Sequence, residues 1–325
     1  MNNKKRILSL LLALLMMCTS FSAFSTAAYA ANKTKYYDQK VQYNSQSASC
    51  NFDSKHYVEY RRDKNKIYVY NSLGGKVKKK ISTSNKFVMR LVIKGKYIYF
   101  SDYDGGIYRV GIDGKGMKKI LNGGYDFIIA KDKIIYGVID YKSKKVNIYS
   151  TNMSGKSKKK IGTTGSWSKF FTYGDNLYFI SGKKLCVYNL KKNKKKTYSA
   201  DKSLASYTLV SMQGKTLYFA KETGFDDAVK SSFYKMDVSK RKVKKIIGTK
   251  KMVYGNTALV YKDAVYELSG NCYGNFVKIT DKKKKQYGNA LYEACSQAFY
   301  KDTVIASKVD RNENILGYKK VVKVD

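Results

Sequence analysis

The sequence predicts an all-β repeat fold, on three observations. Two short phrases rich in Tyr, Ile, Val and Phe recur about every 40 residues. Clusters of Gly, Asn, Asp and Lys bound each phrase, as turns bound strands. No window carries a sustained 3.6-residue apolar period, so long helices are not expected. Short strands at such a period are the signature of a β-propeller, in which four-stranded antiparallel blades pack radially around an axis.

The first phrase reads Tyr57-Val58-Glu59-Tyr60, Tyr97-Ile98-Tyr99-Phe100, Ile134-Ile135-Tyr136, Leu177-Tyr178-Phe179, Leu217-Tyr218-Phe219, Ala258-Leu259-Val260 and Thr303-Val304-Ile305. These read as second strands, B, of successive blades. The following phrase reads as a C–D hairpin. Ile67-Tyr68-Val69-Tyr70 leads to Lys79-Lys80-Ile81, Ile107-Tyr108-Arg109-Val110 to Lys118-Lys119-Ile120, and Ile148-Tyr149-Ser150-Thr151 to Lys159-Lys160-Ile161. Phe233-Tyr234-Lys235-Met236 leads to Lys244-Lys245-Ile246, and weaker copies begin at Leu185, Val265 and Ile315. The count predicts seven blades; six is the alternative, because the first and last units are degenerate. In the second unit the strands are expected near residues 87–93, 97–101, 107–111 and 117–121. Gly74, Gly95, Gly114 and Gly155 mark turns that need positive φ. The last unit has little room for a fourth strand, and residues 35–43 are the candidate to supply it and close the ring.

Ile98-Tyr99-Phe100-Ser101-Asp102, then Gly106-Ile107-Tyr108-Arg109, then Asp113-Gly114, resembles the repeat of low-density-lipoprotein-receptor propellers of the YWTD type. In that family the repeat reads Tyr-Trp-Thr-Asp, then Ile-x-Arg, then Asp-Gly. The remaining chain is similar to secreted bacterial propellers of that type, common in clostridia. The resemblance implies the propeller fold and carries over no ligand residues.

The N-terminus reads as an address. Lys4, Lys5 and Arg6 precede an apolar run from Ile7 to Met17, and Ala28-Tyr29-Ala30 forms a cleavage signal. The expectation is a signal peptide over residues 1–30 and one propeller domain over 31–325. The apolar run is too short for a membrane anchor, and no later stretch reaches about 18 apolar residues. A secreted monomer of Gram-positive type, free or associated with the cell wall, is expected. Of the remaining cysteines, Cys50, Cys186, Cys272 and Cys295, at least Cys186 is expected to be a buried free thiol, since it alternates with apolar neighbours. Two disulfides among the four stay open.

Charge narrows the function classes. The chain of 325 residues holds 64 Lys+Arg against 24 Asp+Glu, one His and no Pro, a net +40. With 43% hydrophobic residues it is no disordered polycation. One His excludes a multi-histidine metal centre. Without C-x-x-C, zinc and thioredoxin-like chemistry lack support; no metal and no cofactor are expected. Only seven of the basic residues are Arg, so the charge acts as points and not as planar forks. In a propeller all C–D hairpins emerge on one side, which places Lys79, Lys80, Lys118, Lys119, Lys159, Lys160, Lys195, Lys196, Lys244 and Lys245 on an outer rim. Such a rim either protects sheet edges from aggregation or gathers a polyanion, such as an anionic wall polymer or glycan. Specific nucleic-acid binding is not expected of a secreted protein.

The opposite face holds the candidates for a specific ligand. Trp167 lies in a Gly/Ser/Thr-rich loop and suits a stacking platform or a packing role. The longest B–C loop contains Phe225, Asp226 and Asp227, and Tyr103, Asp104 and Tyr125 should share that face. His56 sits beside Tyr57 and is expected to pack or hydrogen-bond there. No catalytic motif occurs. The expected class is a noncatalytic extracellular binding module for a wall polymer, a glycan or a protein. The alternatives are a carbohydrate-active glycosidase or lyase using loop carboxylates, and a protein–protein scaffold.

Overall fold

The computed structural model describes residues 49–323, apart from residue 125 and the stretches 166–168, 225–229, 252–258, 262, 269–272, 294–297, 301–302 and 313–314. It is a β-propeller of seven blades. Blade I runs Cys50–Phe52, Tyr57–Arg61, Lys66–Tyr70, Val77–Ser82, and blade II Val88–Lys94, Tyr97–Asp102, Ile107–Gly111, Lys118–Leu121. Blade III is Asp126–Ala130, Lys133–Asp140, Lys145–Asn152, Lys159–Gly165, and blade IV Phe170–Tyr173, Asn176–Ser181, Lys184–Asn189, Lys194–Tyr198. Blade V is Thr208–Gln213, Thr216–Thr223, Lys230–Asp237, Val243–Lys251, and blade VI Leu259–Tyr261, Ala264–Leu268, Phe276–Ile279, Lys284–Gln286. Blade VII holds Ala298–Tyr300, Thr303–Val309 and Ile315–Lys323. Leu291–Glu293 extends its inner strand, and Tyr273–Gly274 from blade VI pairs with that extension.

Every sheet is antiparallel, and burial follows strand order. The second strand of blade I, Tyr57–Arg61, is buried almost throughout, whereas its fourth, Val77–Ser82, is exposed except at Ile81. Alternation sends one face of each sheet into each neighbouring blade. Seven apolar clusters result, one per seam: Val58, Ile67, Leu91 and Phe100 join blades I and II, and Tyr57, Tyr70, Tyr300 and Ile305 join blades VII and I. The ring is therefore closed by packing. Each fully buried Phe or Ile in these seams contributes about 1.5–3 kcal/mol. The helical turns among the described residues are two short 3₁₀ segments, Arg62–Lys64 and Leu204–Ser206.

Positive φ occurs at Gly114 (85°) and Gly155 (81°), both in C–D hairpins. A Cβ on Gly155 would lie 2.2 Å from the Ile120 carbonyl oxygen of the preceding blade, so only glycine fits. One sequence assignment is corrected. In blade VI, Leu259 and Val260 belong to the inner strand and Val265 to the second strand, with Phe276–Ile279 as the third. The two arms of that short hairpin have the same apolar composition, so local pattern cannot rank them. The candidate closing strand at 35–43 lies outside the described residues.

Candidate functional site

The belt of lysines comes first, because the repeat builds it. Tyr68 stands opposite Lys80, Tyr108 opposite Lys119, Tyr149 opposite Lys160, Tyr188 opposite Lys195 and Tyr234 opposite Lys245. Five blades thus repeat one cross-strand pair at one register. The tyrosine ring carries the lysine stem beside it: Lys80 Nζ is 5.6 Å from the Tyr68 ring centre, and Lys119 Nζ 5.7 Å from that of Tyr108. All ten rim lysines are exposed. They lie on the outermost strands themselves, not on the hairpin tips, so they encircle the perimeter instead of rimming one side. Blade VI adds Lys284 and Lys285, also exposed and on the outermost strand. The run from Lys282 to Lys285 signalled them, but the strand shift in blade VI hid their place in the repeat.

On the face with the B–C loops, Tyr103 and Asp104 occupy the loop after Tyr97–Asp102. Asp102, the acid of the receptor-like motif, folds that loop: its Oδ1 accepts from the Gly106 N–H at 2.5 Å. Burial, then the Asp102 carboxylate, pushes the Tyr108 hydroxyl up to about 12. Tyr103 packs edge-on against Phe87 (6.4 Å), which packs edge-on against Tyr60 (6.1 Å). The Arg62 guanidinium lies 4.9 Å above the Phe87 ring. Phe87 is 36% exposed, and Asp104 is exposed beside this aromatic patch. Trp167, Tyr125, Phe225, Asp226 and Asp227 lie outside the described residues.

The other face presents the A–B turns, and here an unforeseen pattern appears. The residue two places before the apolar core of strand B is Asp132 in blade III, Asp175 in blade IV and Asp263 in blade VI. Each pairs with a lysine: Lys94–Asp132 at 3.4 Å, Lys131–Asp175 at 2.6 Å and Lys235–Asp263 at 2.5 Å. Each lysine comes from the preceding blade, so these pairs stitch seams. Blade V carries Lys215 there, and blades I and II carry His56 and Lys96. Between their turns opens a pocket of 820 Å³ lined by Asp53, Lys55, His56, Lys96, Tyr97, Arg109, Asp113 and Lys115. The one histidine is therefore a pocket residue; its Nδ1 lies 3.2 and 3.3 Å from the two Asp53 oxygens.

Cys50 and Cys186 are buried free thiols. Burial pushes both up, which keeps them protonated and unreactive near neutrality. Cys272 and Cys295 lie outside the described residues. Among the described residues no cluster of His, Cys, Asp and Glu could hold a metal ion, and no helix is long and apolar enough to cross a membrane.

The fold defines a β-propeller with a lysine-studded perimeter. No family model matches the chain, and no curated protein matches it. Solved structures do. The tricorn protease matches at 12% identity with a TM-score of 0.49, over 78% of this chain; this chain spans only 30% of that one. A nidogen/laminin complex matches at 12% identity and TM-score 0.43, over 69% of this chain and 91% of the other. The β-propeller domain of the trilobed protease from Pyrococcus furiosus matches at 10% and 0.41, over 73% and 83%.

Proposed function

We propose that this protein is a noncatalytic binding module that gathers an anionic polymer, such as a wall polymer or acidic glycan, along its lysine belt, outside the cell or at the cell envelope. One observation carries the reading: the Tyr–Lys pair repeated at one register in five blades. Edge protection needs charge on the outermost strand but no fixed partner for it. A ring of regularly spaced point charges sums to a potential that attracts a flexible polyanion with little demand on its sequence. None of the ten belt lysines forms an ion pair with a described carboxylate. Their charge is left for a partner. A protein partner is the second reading, favoured by the exposed aromatic patch of Phe87 and Tyr103.

The test is binding to poly(glycerol phosphate) and to a neutral glycan at two salt concentrations. Binding to the anionic polymer should fall at least about tenfold between about 0.1 and 0.5 M salt, as screening shortens the reach of each charge. Reversing Lys80, Lys119 and Lys160 to Glu should weaken it further. Salt-resistant binding of the neutral glycan, unaffected by those changes, would replace this reading with one centred on the aromatic patch.

A further inference from the structure

We infer that the pocket between the turns of blades I and II binds one phosphate ester group, a mono- or diester, as the specific grip of the anionic polymer. The inference rests on the polymer-binding reading above and adds a defined site to it. Its basis is a missing charge. In the seams that lead into blades III, IV and VI, an aspartate at the turn position before strand B neutralises a lysine of the preceding blade. The seam between blades I and II has Lys96 at that position, lining one pocket with Lys55 and His56. As at Lys215 of blade V, the repeat has put a cation where three sister seams put the anion, and here there is space beside it. A Cβ built on Gly95 or Gly116, both lining the pocket, would meet nothing within 4 Å.

Among the described residues, Lys55, Lys96, Arg109 and Lys115 take part in no ion pair. The two carboxylates present are occupied by their own turns. Asp53 accepts the backbone N–H groups of Lys55 and His56, each at 2.7 Å, and Asp113 accepts that of Lys115 at 3.0 Å. Arg109 is held in place: its guanidinium carbon lies 4.2 Å above the Tyr97 ring. Its Nε is buried and has no hydrogen-bond partner, a condition that costs free energy until an acceptor arrives. Lys96 Nζ also lies over Tyr97, 5.6 Å from the ring centre. An oriented guanidinium with two or three ammonium groups around it suits a compact, multi-oxygen anion. The volume is in the range that holds a small ligand. A phosphate ester fits this description, and a long anionic polymer of such esters would place one unit here while its neighbours run onto the belt.

The experiment uses the full chain, glycerol phosphate as the short probe, inorganic phosphate as its free counterpart, and poly(glycerol phosphate) as the polymer. Titration at up to about ten millimolar should show glycerol phosphate binding that Arg109→Gln weakens at least about tenfold. Lys96→Asp restores the seam chemistry of blades III, IV and VI, so it should abolish that binding while raising the melting temperature. A belt variant with Lys80, Lys119 and Lys160 changed to Glu should bind glycerol phosphate as wild type does. Equal affinity for inorganic phosphate assigns the site to free phosphate, and overturns the claim that it grips the polymer. Absence of glycerol phosphate binding, or binding indifferent to both Arg109→Gln and Lys96→Asp, overturns the pocket. The two readings fail separately. Polymer binding that ignores the pocket variants leaves the belt alone standing. Short-probe binding without polymer binding leaves the pocket and removes the belt.

Discussion

Blades I and VI each place a glutamate on the second strand, facing the preceding blade, and the two meet opposite fates. Glu59 is buried in the seam between blades VII and I and is fully partnered. Its Oε1 accepts from Arg61 Nε at 2.9 Å and from the Tyr70 hydroxyl at 2.9 Å. Its Oε2 accepts from the Tyr57 hydroxyl at 3.1 Å and from the backbone N–H of Tyr318, across the seam, at 3.2 Å. Gly317 makes that approach possible: a Cβ there would lie 2.9 Å from Glu59 Oε1. Glu267 is equally buried, but its Oε2 has no hydrogen-bond partner. Burial pushes its carboxyl from 4.5 up to about 8, with Lys284 pulling weakly the other way. The same residue in the same strand thus locks one seam and strains another. What differs is the set of donors around each: Glu59 has three from its own blade and one from the preceding blade, and Glu267 Oε2 has none.

This contrast breaks first at Glu59. Glu59→Leu should destabilise the protein by about 3 kcal/mol, because it strands the Tyr318 N–H and three side-chain donors. Urea unfolding measures it; a loss near zero would mean the seam closes by apolar packing alone. Glu267→Gln should do the reverse at pH 8, raising the melting temperature, since it removes a carboxylate that burial disfavours. The sign follows from the shift. The folded state holds the proton more tightly than the unfolded, so the stability Glu267 contributes is full below 4.5 and is lost as pH rises toward about 8. Wild type should therefore lose stability over that window relative to Glu267→Gln, and a constant difference between them at pH 5 and pH 8 would refute the assignment. Tyr70→Phe should cost less than Glu59→Leu, about 1.5 kcal/mol for one hydrogen bond to a carboxylate. The smallest effect belongs to the belt: Lys119→Gln should move stability by less than about 0.5 kcal/mol while lowering polymer affinity. A belt lysine that changes unfolding as much as Tyr70→Phe would mark the belt as structural.

Much of the fold was legible in the chain. In blade II the expected boundaries agree with Val88–Lys94, Tyr97–Asp102, Ile107–Gly111 and Lys118–Leu121 to within a residue or so. Alternating apolar side chains and glycines at positive φ are local requirements, readable one blade at a time. Blade VI was misread by one strand, because Leu259–Tyr261 and Ala264–Leu268 form a tight hairpin of matching composition. The pocket was not legible as a site. Its walls come from turns about 40 to 60 residues apart, at the repeat spacing. The signal was present only as a difference, Lys96 and His56 standing where other units carry Asp132, Asp175 and Asp263.

Local pattern alone determined the repeated short strands, favoured seven units over six, and marked the lysines that follow each third strand. Those follow from the period of the side chains and the chemistry of the turns. Tertiary structure decided which turns meet across a seam, that Glu59 is satisfied and Glu267 is not, and that Arg109 reaches a pocket whose two carboxylates, Asp53 and Asp113, are held by their own turns. These depend on which side chains of adjacent strands and of the neighbouring blade meet at one point, and neighbours in the ring are distant in the chain.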